Sequence, residues 1–151
     1  MKTEIEISKQ QVMRQVEMAT AYIGAKSENP AVTYQRVAAG ESDRDMLDGW
    51  WAAATARADV CLGRWLVARH DSCGGSGSYR VTICIPPLFN AARIEALCHT
   101  MRDMIVAHIM ANWLAVVLPG SQQQYADRCE LMVMQLKRTM NTGRKKRMEV
   151  V

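Results

Sequence analysis

Two long stretches with helical character, 90–118 and 121–141, are separated only by Pro119-Gly120, and this break restricts the folds open to the chain more than any other feature. Proline clashes with the preceding turn and lacks a backbone donor, and glycine adopts conformations closed to other residues, so a helix must end there. Asn90 is placed to cap the first stretch, whose apolar or near-apolar face includes Ile94, Leu97, Met101, Ile105, His108 and Trp113. Ser121 and Gln124 have capping-box spacing, and Tyr125, Cys129, Met132, Val133, Leu136 and Met140 continue one face of the second. With so short a link, the two helices are expected to fold back as an antiparallel pair.

The upstream sequence predicts two further helices and one strand. Residues Thr3 to Ile7 alternate, with Ile5 and Ile7 on one side, as a short strand or extended arm over 1–7 would. Ser8 and Gln11 form a capping box, after which Val12, Val16, Ala19 and Ile23 recur at helical spacing as far as Gly24, giving a helix over 9–24. Asn29-Pro30 favours a turn, and Gly40 clears the way for a new start. Ser42, with Asp43 and Asp45 behind it, caps a helix over 43–69 and suits its dipole. The apolar face of that helix runs Leu47, Trp50, Ala54, Ala58, Cys61, Leu62 and Trp65, widened by Trp51 and Leu66. The Gly/Ser-rich stretch 70–78 predicts a flexible loop. Tyr79, Val81, Ile83 and Ile85 then alternate with polar residues and Cys84 until Pro86-Pro87, which predicts a strand near 79–85. That strand needs a partner in the N-terminal arm, in 25–40 or in another subunit, because an exposed edge leaves backbone groups unpaired. The expected fold is mainly α, about four helices with one strand or hairpin element, in a single domain over 1–151.

Composition narrows the class. A hydrophobic fraction of 49% is ordinary, but 11 Met, 4 Trp and one Phe make an unusual apolar palette. Met fills irregular gaps in a private core and adapts equally to shared surfaces. The net charge of +4 owes much to Arg144, Lys145, Lys146 and Arg147, in a polar, basic tail expected over 142–151. An otherwise near-neutral body does not predict an extensive nucleic-acid footprint, although such a tail can touch phosphate. The five cysteines, an odd number with no CxxC pair, read as reduced thiols of a protein made in a cytoplasm. The polar start MKTEIEISKQQ does not read as a signal peptide. The longest apolar stretch, Met101 to Leu118, is interrupted by Arg102, Asp103, His108 and Asn112, which argues against a membrane span.

The sequence carries no recognisable set of catalytic residues. Cys98, His99, His108 and Cys129 carry good zinc-ligand atoms, but their spacing does not gather them on one helix face, so no metal is expected. Glu95 with His99, and Asp103 with His108, read as helix-face neighbours, since no nucleophile, base and orienting group accompany them. The GGSGS run lacks the Lys-Ser/Thr ending of a phosphate loop and precedes a strand, where that mechanism needs a helix. No catalytic residue and no cofactor are expected. His108 and Asn112, one turn apart, suit either an internal hydrogen-bonded pair or a subunit contact. With Trp50, Trp51, Trp65 and Trp113 they are the candidate interface residues, and Arg144 to Arg147 are the candidate tail contacts.

The segments DRDMLDGWWAAATARADVCLGRWL and YRVTICIP, followed by a final helical pair, resemble small head–tail connector proteins of long-tailed phages. The start, EISKQQVMRQVEMATAYIGAK, is similar to that of uncharacterised prophage proteins of gut Bacteroidetes. The resemblance implies a non-enzymatic subunit made in the bacterial cytoplasm and built into the virion. Copies would form a ring between portal and tail, with the second and third helices as its wall. The strand and its Pro-Pro stop are more β structure than a purely helical adaptor needs, which leaves other virion positions open. The alternative is a small regulatory or nucleic-acid-binding protein that uses the basic tail.

Overall fold

A computed structural model describes residues 1–26, 38–70, 77–85 and 89–149, with backbone alone for 41 and 142–149. The fold is mainly helical with a small three-stranded antiparallel sheet. In chain order the described elements are β1 (Lys2–Ile7), α1 (Lys9–Ala25), a 3₁₀ turn (Glu41–Asp43) and α2 (Arg44–Leu62). A second 3₁₀ turn (Gly63–Trp65), β2 (Leu66–Arg69), β3 (Tyr79–Cys84), α3 (Ala91–Val117) and α4 (Gln123–Glu149) complete them.

The predicted strand at 79–85 finds its partners within the chain. It forms the middle of the sheet, in the order β1-β3-β2, with Ile5 opposite Val81 and Ile7 opposite Tyr79. One partner is thus the N-terminal arm. The other is β2, a strand lying where the sequence predicts the last turns of a helix over 43–69. Gly63 at φ +53 ends α2, a conformation that favours glycine, and Leu66 to Arg69 then pair with β3 across an irregularity between Leu66 and Ala68. Ile5, Ile7, Tyr79, Val81 and Ile83 face the core, while Glu4, Glu6 and Arg80 face solvent. This is the division expected of a sheet covered on one side.

Two of the four described helices start on the caps that the sequence predicts. Ser8 Oγ accepts from the Gln11 N–H at 3.3 Å, and Asn90 Oδ1 accepts from the Arg93 N–H at 3.0 Å. Ser42 does not cap α2. The position before the helix is Asp43, whose carboxylate accepts from the Gly40 N–H at 3.0 Å and so closes the 3₁₀ turn. The Ser121–Gln124 box is likewise replaced: the Gln122 carbonyl accepts from the Tyr125 and Ala126 N–H groups, so α4 starts one residue later than that pattern implies. Its other end also differs, since the helix continues through the expected tail to Glu149 and places positions 144–147 in its last turns.

The core is one continuous cluster with α3 at its centre. Met101, Met104, Ile105, Ile109, Met110 and Leu114 of α3 are sealed from solvent, together with Val12 and Val16 of α1, Leu47 and Ala58 of α2, and Leu136 of α4. Four of the eleven methionines, Met101, Met104, Met110 and Met140, lie in this cluster on the two last helices, filling gaps where several helices meet. Thr20 ties the segment before α2 to α1. Its buried hydroxyl donates to the Val16 carbonyl at 2.9 Å and accepts from the Ala39 N–H at 3.1 Å. No helix among the described residues is long and apolar enough to cross a membrane.

Candidate interaction surface

The residues singled out from the sequence divide between core and surface. Trp51 and Trp113 are buried in this one chain. Trp50 is half-buried and meets Trp113 edge to face, with ring centroids 6.2 Å apart, a geometry that suits the ring quadrupoles. Trp65 is half-buried beneath the Arg64 guanidinium, 4.8 Å from its ring centre. Asn112 Nδ2 donates to the His108 backbone carbonyl at 2.8 Å. This bond lies within the asparagine's own helix. Burial, followed by the charge of Arg57, lowers the His108 pKa and favours the neutral ring. Positions 144–147 carry a helical backbone, and their side chains lie outside the described residues.

Two polar constellations emerge that the sequence reading did not pick out. In the first, Asp59 of α2 receives the Tyr79 hydroxyl at 2.6 Å and the Arg69 guanidinium at 2.9 Å. Arg69 also donates to Thr55 at 3.0 Å and lies 5.1 Å from the centre of the Tyr79 ring. These contacts clasp β2 and β3 to α2, and with Tyr79 and Thr55 sealed from solvent they do the work of a structural joint. No sequence spacing announces them, because they bring together residues from three elements.

The second constellation joins α2 to α4. Arg57 pairs with Glu130 and reaches Cys129 Sγ at 3.5 Å, while the Cys129 thiol donates to the Met104 carbonyl at 3.7 Å. Burial pushes the Cys61, Cys98 and Cys129 thiols up from their ordinary value, which keeps them protonated and poor nucleophiles. Cys61, Cys84, Cys98 and Cys129 are free thiols, and Cys73 lies outside the described residues. The candidate ligands are not gathered. His99 neighbours Arg102 and Glu95 on the exposed side of α3, and no group of three or more His, Cys, Asp or Glu among the described residues is arranged to hold a metal.

The two helices joined by this seam also carry exposed apolar side chains. Val60, one turn after Arg57, is 71% exposed, and Met134, one turn after Glu130, is 57% exposed. Leu131 of α4 is 64% exposed. Cys61 lies within electrostatic reach of Lys137, just as Arg57 meets Glu130, so α2 and α4 run in the same direction across the seam. Val60 and Met134 therefore lie toward the same end of it. A separate open groove of about 450 Å³ lies between α1, α3 and α4, lined by Met18, Tyr22, Ile23, Val106, Met110 and Tyr125 together with Asp103 and Arg128. Comparison with protein-family models, with characterised proteins and with solved structures returns no match.

Proposed function

We propose that this chain is a non-enzymatic structural subunit that assembles with copies of itself, as a head–tail connector forming a ring between the portal and tail of a tailed phage. The observation that carries the reading is the set of exposed apolar side chains, Val60, Leu131 and Met134, on the two helices joined by the Arg57–Glu130 seam. Apolar side chains left outside a completed core are available for contacts with other chains. The central strand gives no support, because its partners lie in its own chain. In this role the protein is made in the bacterial cytoplasm and built into the virion, with portal and tail proteins as its further partners.

Light scattering coupled to size-exclusion chromatography, run over a concentration series, tests the reading. Rings that form with concentration are expected, and Leu131→Glu with Met134→Glu should shift the series toward monomer while the circular-dichroism spectrum stays unchanged. A strict monomer that binds neither portal nor tail proteins overturns it. Salt-sensitive DNA binding that disappears on deletion of 143–151 would favour the regulatory alternative.

A further inference from the structure

The outer edge of β1, unpartnered among the described residues, is the feature that goes furthest beyond this reading. Antiparallel strands alternate between residues whose N–H and C=O point to the neighbour and residues whose groups point away. The Ile85 N–H donates to the Met1 carbonyl at 2.7 Å, and the register places Lys2 opposite Cys84. Thr3, Ile5 and Ile7 therefore turn their backbone groups toward β3, and Lys2, Glu4 and Glu6 turn theirs outward. No strand lies on that outer side among the described residues. The other sheet edge is less suitable, since β2 has only four residues and an irregularity between Leu66 and Ala68, a device that blunts edges.

We propose that β1 pairs antiparallel with β1 of a second copy of this chain about a two-fold axis at Glu4, making one continuous sheet across the pair. Outward-pointing residues must face outward-pointing residues, and centring on Glu4 is the register that uses all of them. Lys2 faces Glu6 of the partner subunit, Glu4 faces the partner's Glu4, and Glu6 faces Lys2 of the partner subunit, each pair exchanging two hydrogen bonds. The charges agree with this register. Lys2 and the partner's Glu6 are opposite in sign, and the relation occurs twice by symmetry. The two Glu4 carboxylates meet at the axis, where each is held by its own Arg80 at 2.9 Å. Moving the register by two residues in either direction leaves two outward-facing pairs in place of three and so loses hydrogen bonds. An edge protected against pairing by one repeated charge would repel its own copy, whereas KTEIEI read antiparallel brings Lys2 to the partner's Glu6 twice, with only the Arg80-held Glu4 pair alike in sign.

The core-side residues add an independent argument. Met1 lies on the same side of the strand as Thr3, Ile5 and Ile7 and is 89% exposed. In the proposed register it comes opposite Ile7 of the partner subunit and is covered. The inference rests on the self-assembly reading but names a different surface. A two-fold contact joins copies in pairs, whereas a ring needs a head-to-tail contact, so this edge adds to a ring interface and does not replace it.

Residue-resolved amide exchange on the full chain, at high and low concentration, tests the pairing directly. The Lys2, Glu4 and Glu6 amides should be protected at high concentration and exchange freely on dilution. Charge swaps test the register. Lys2→Glu and Glu6→Lys should each raise the dimer dissociation constant about tenfold, measured by sedimentation, and the double variant should return to within about threefold of the original. Assemblies whose Lys2, Glu4 and Glu6 amides exchange freely overturn the pairing and leave the ring reading standing. A double variant as weak as either single one overturns the register. A monomer at every concentration overturns the pairing, and overturns the assembly reading as well if it also binds neither portal nor tail proteins.

Discussion

Helices α3 and α4 are each 27 residues long and lie side by side, but they relate to solvent in different ways. The apolar residues of α3 point in almost every direction, because the helix packs against α1, α2, α4 and β1. Among its described side chains, α4 buries one stripe, Cys129, Val133, Leu136 and Met140, and leaves Leu131 and Met134 in solvent. The difference teaches that interruptions in an apolar helix need not point to partners outside the chain. Arg102, Asp103, His108 and Asn112 break the run in α3 without making it a membrane span or an orphan, since neighbours within the chain take up most of the apolar remainder, Val116 excepted. Of these two helices, the more regular, amphipathic α4 leaves two large apolar side chains outward among its described residues, and α3 leaves one, Val116.

The sharpest way to break this comparison is to shorten one side chain on each helix. Ile109 is sealed inside α3, so Ile109→Ala should cost about 2–5 kcal/mol in urea unfolding, through lost burial and the cavity left behind. Leu131→Ala on α4 should stay within about 0.5 kcal/mol. Equal costs would remove the distinction between central and outer helix. The next effect lies at the link. Gly120 has φ +103 and open space around it, so Gly120→Ala meets no clash but is strained by its backbone conformation. The expected loss is about 1 kcal/mol or more in the same assay.

The smallest effect is a pH dependence that belongs to α3. Burial and Arg57 lower the His108 pKa, so the unfolded chain binds this proton more readily than the folded one. The His108 contribution to stability therefore rises with pH through the imidazole range and is lost as pH falls below the ordinary histidine value. Thermal melts from about pH 7.5 to about pH 5.5 should show a downward drift in midpoint that His108→Gln reduces. An unchanged slope in that variant would remove His108 from the account.

Local chemistry made much of the fold legible. Ser8 and Asn90 cap the helices that follow them, Pro119-Gly120 separates the last two, and alternation marks β3. What escaped depends on competition between signals. Trp65 and Leu66 extend the helical stripe of α2 so well that Gly63 reads as an interior glycine, although its positive φ ends the helix and frees Leu66 to Arg69 to form a strand. The run 144–147 reads as a solvated tail because charge obscures helical periodicity, and the backbone continues to Glu149. The candidate surface was less legible. Tryptophan is a sound marker of interfaces, but two of the four here are buried in the chain's own core, and Val60, Leu131 and Met134 become conspicuous only once the core is known.

The sheet also sets an order of events during synthesis. Glu4 and Arg80, which pair across β1 and β3, are separated by 76 residues. At ~5–20 residues per second, β1 leaves the ribosome roughly 4–15 s before its partner strand exists. Until then Ile5 and Ile7 have no sheet to join, and both edges of β1 are bare. A nascent strand whose charges match a copy of itself can meet another nascent chain on the same messenger during that interval, so the spacing between ribosomes becomes a variable in whether chains fold singly or are tangled at birth.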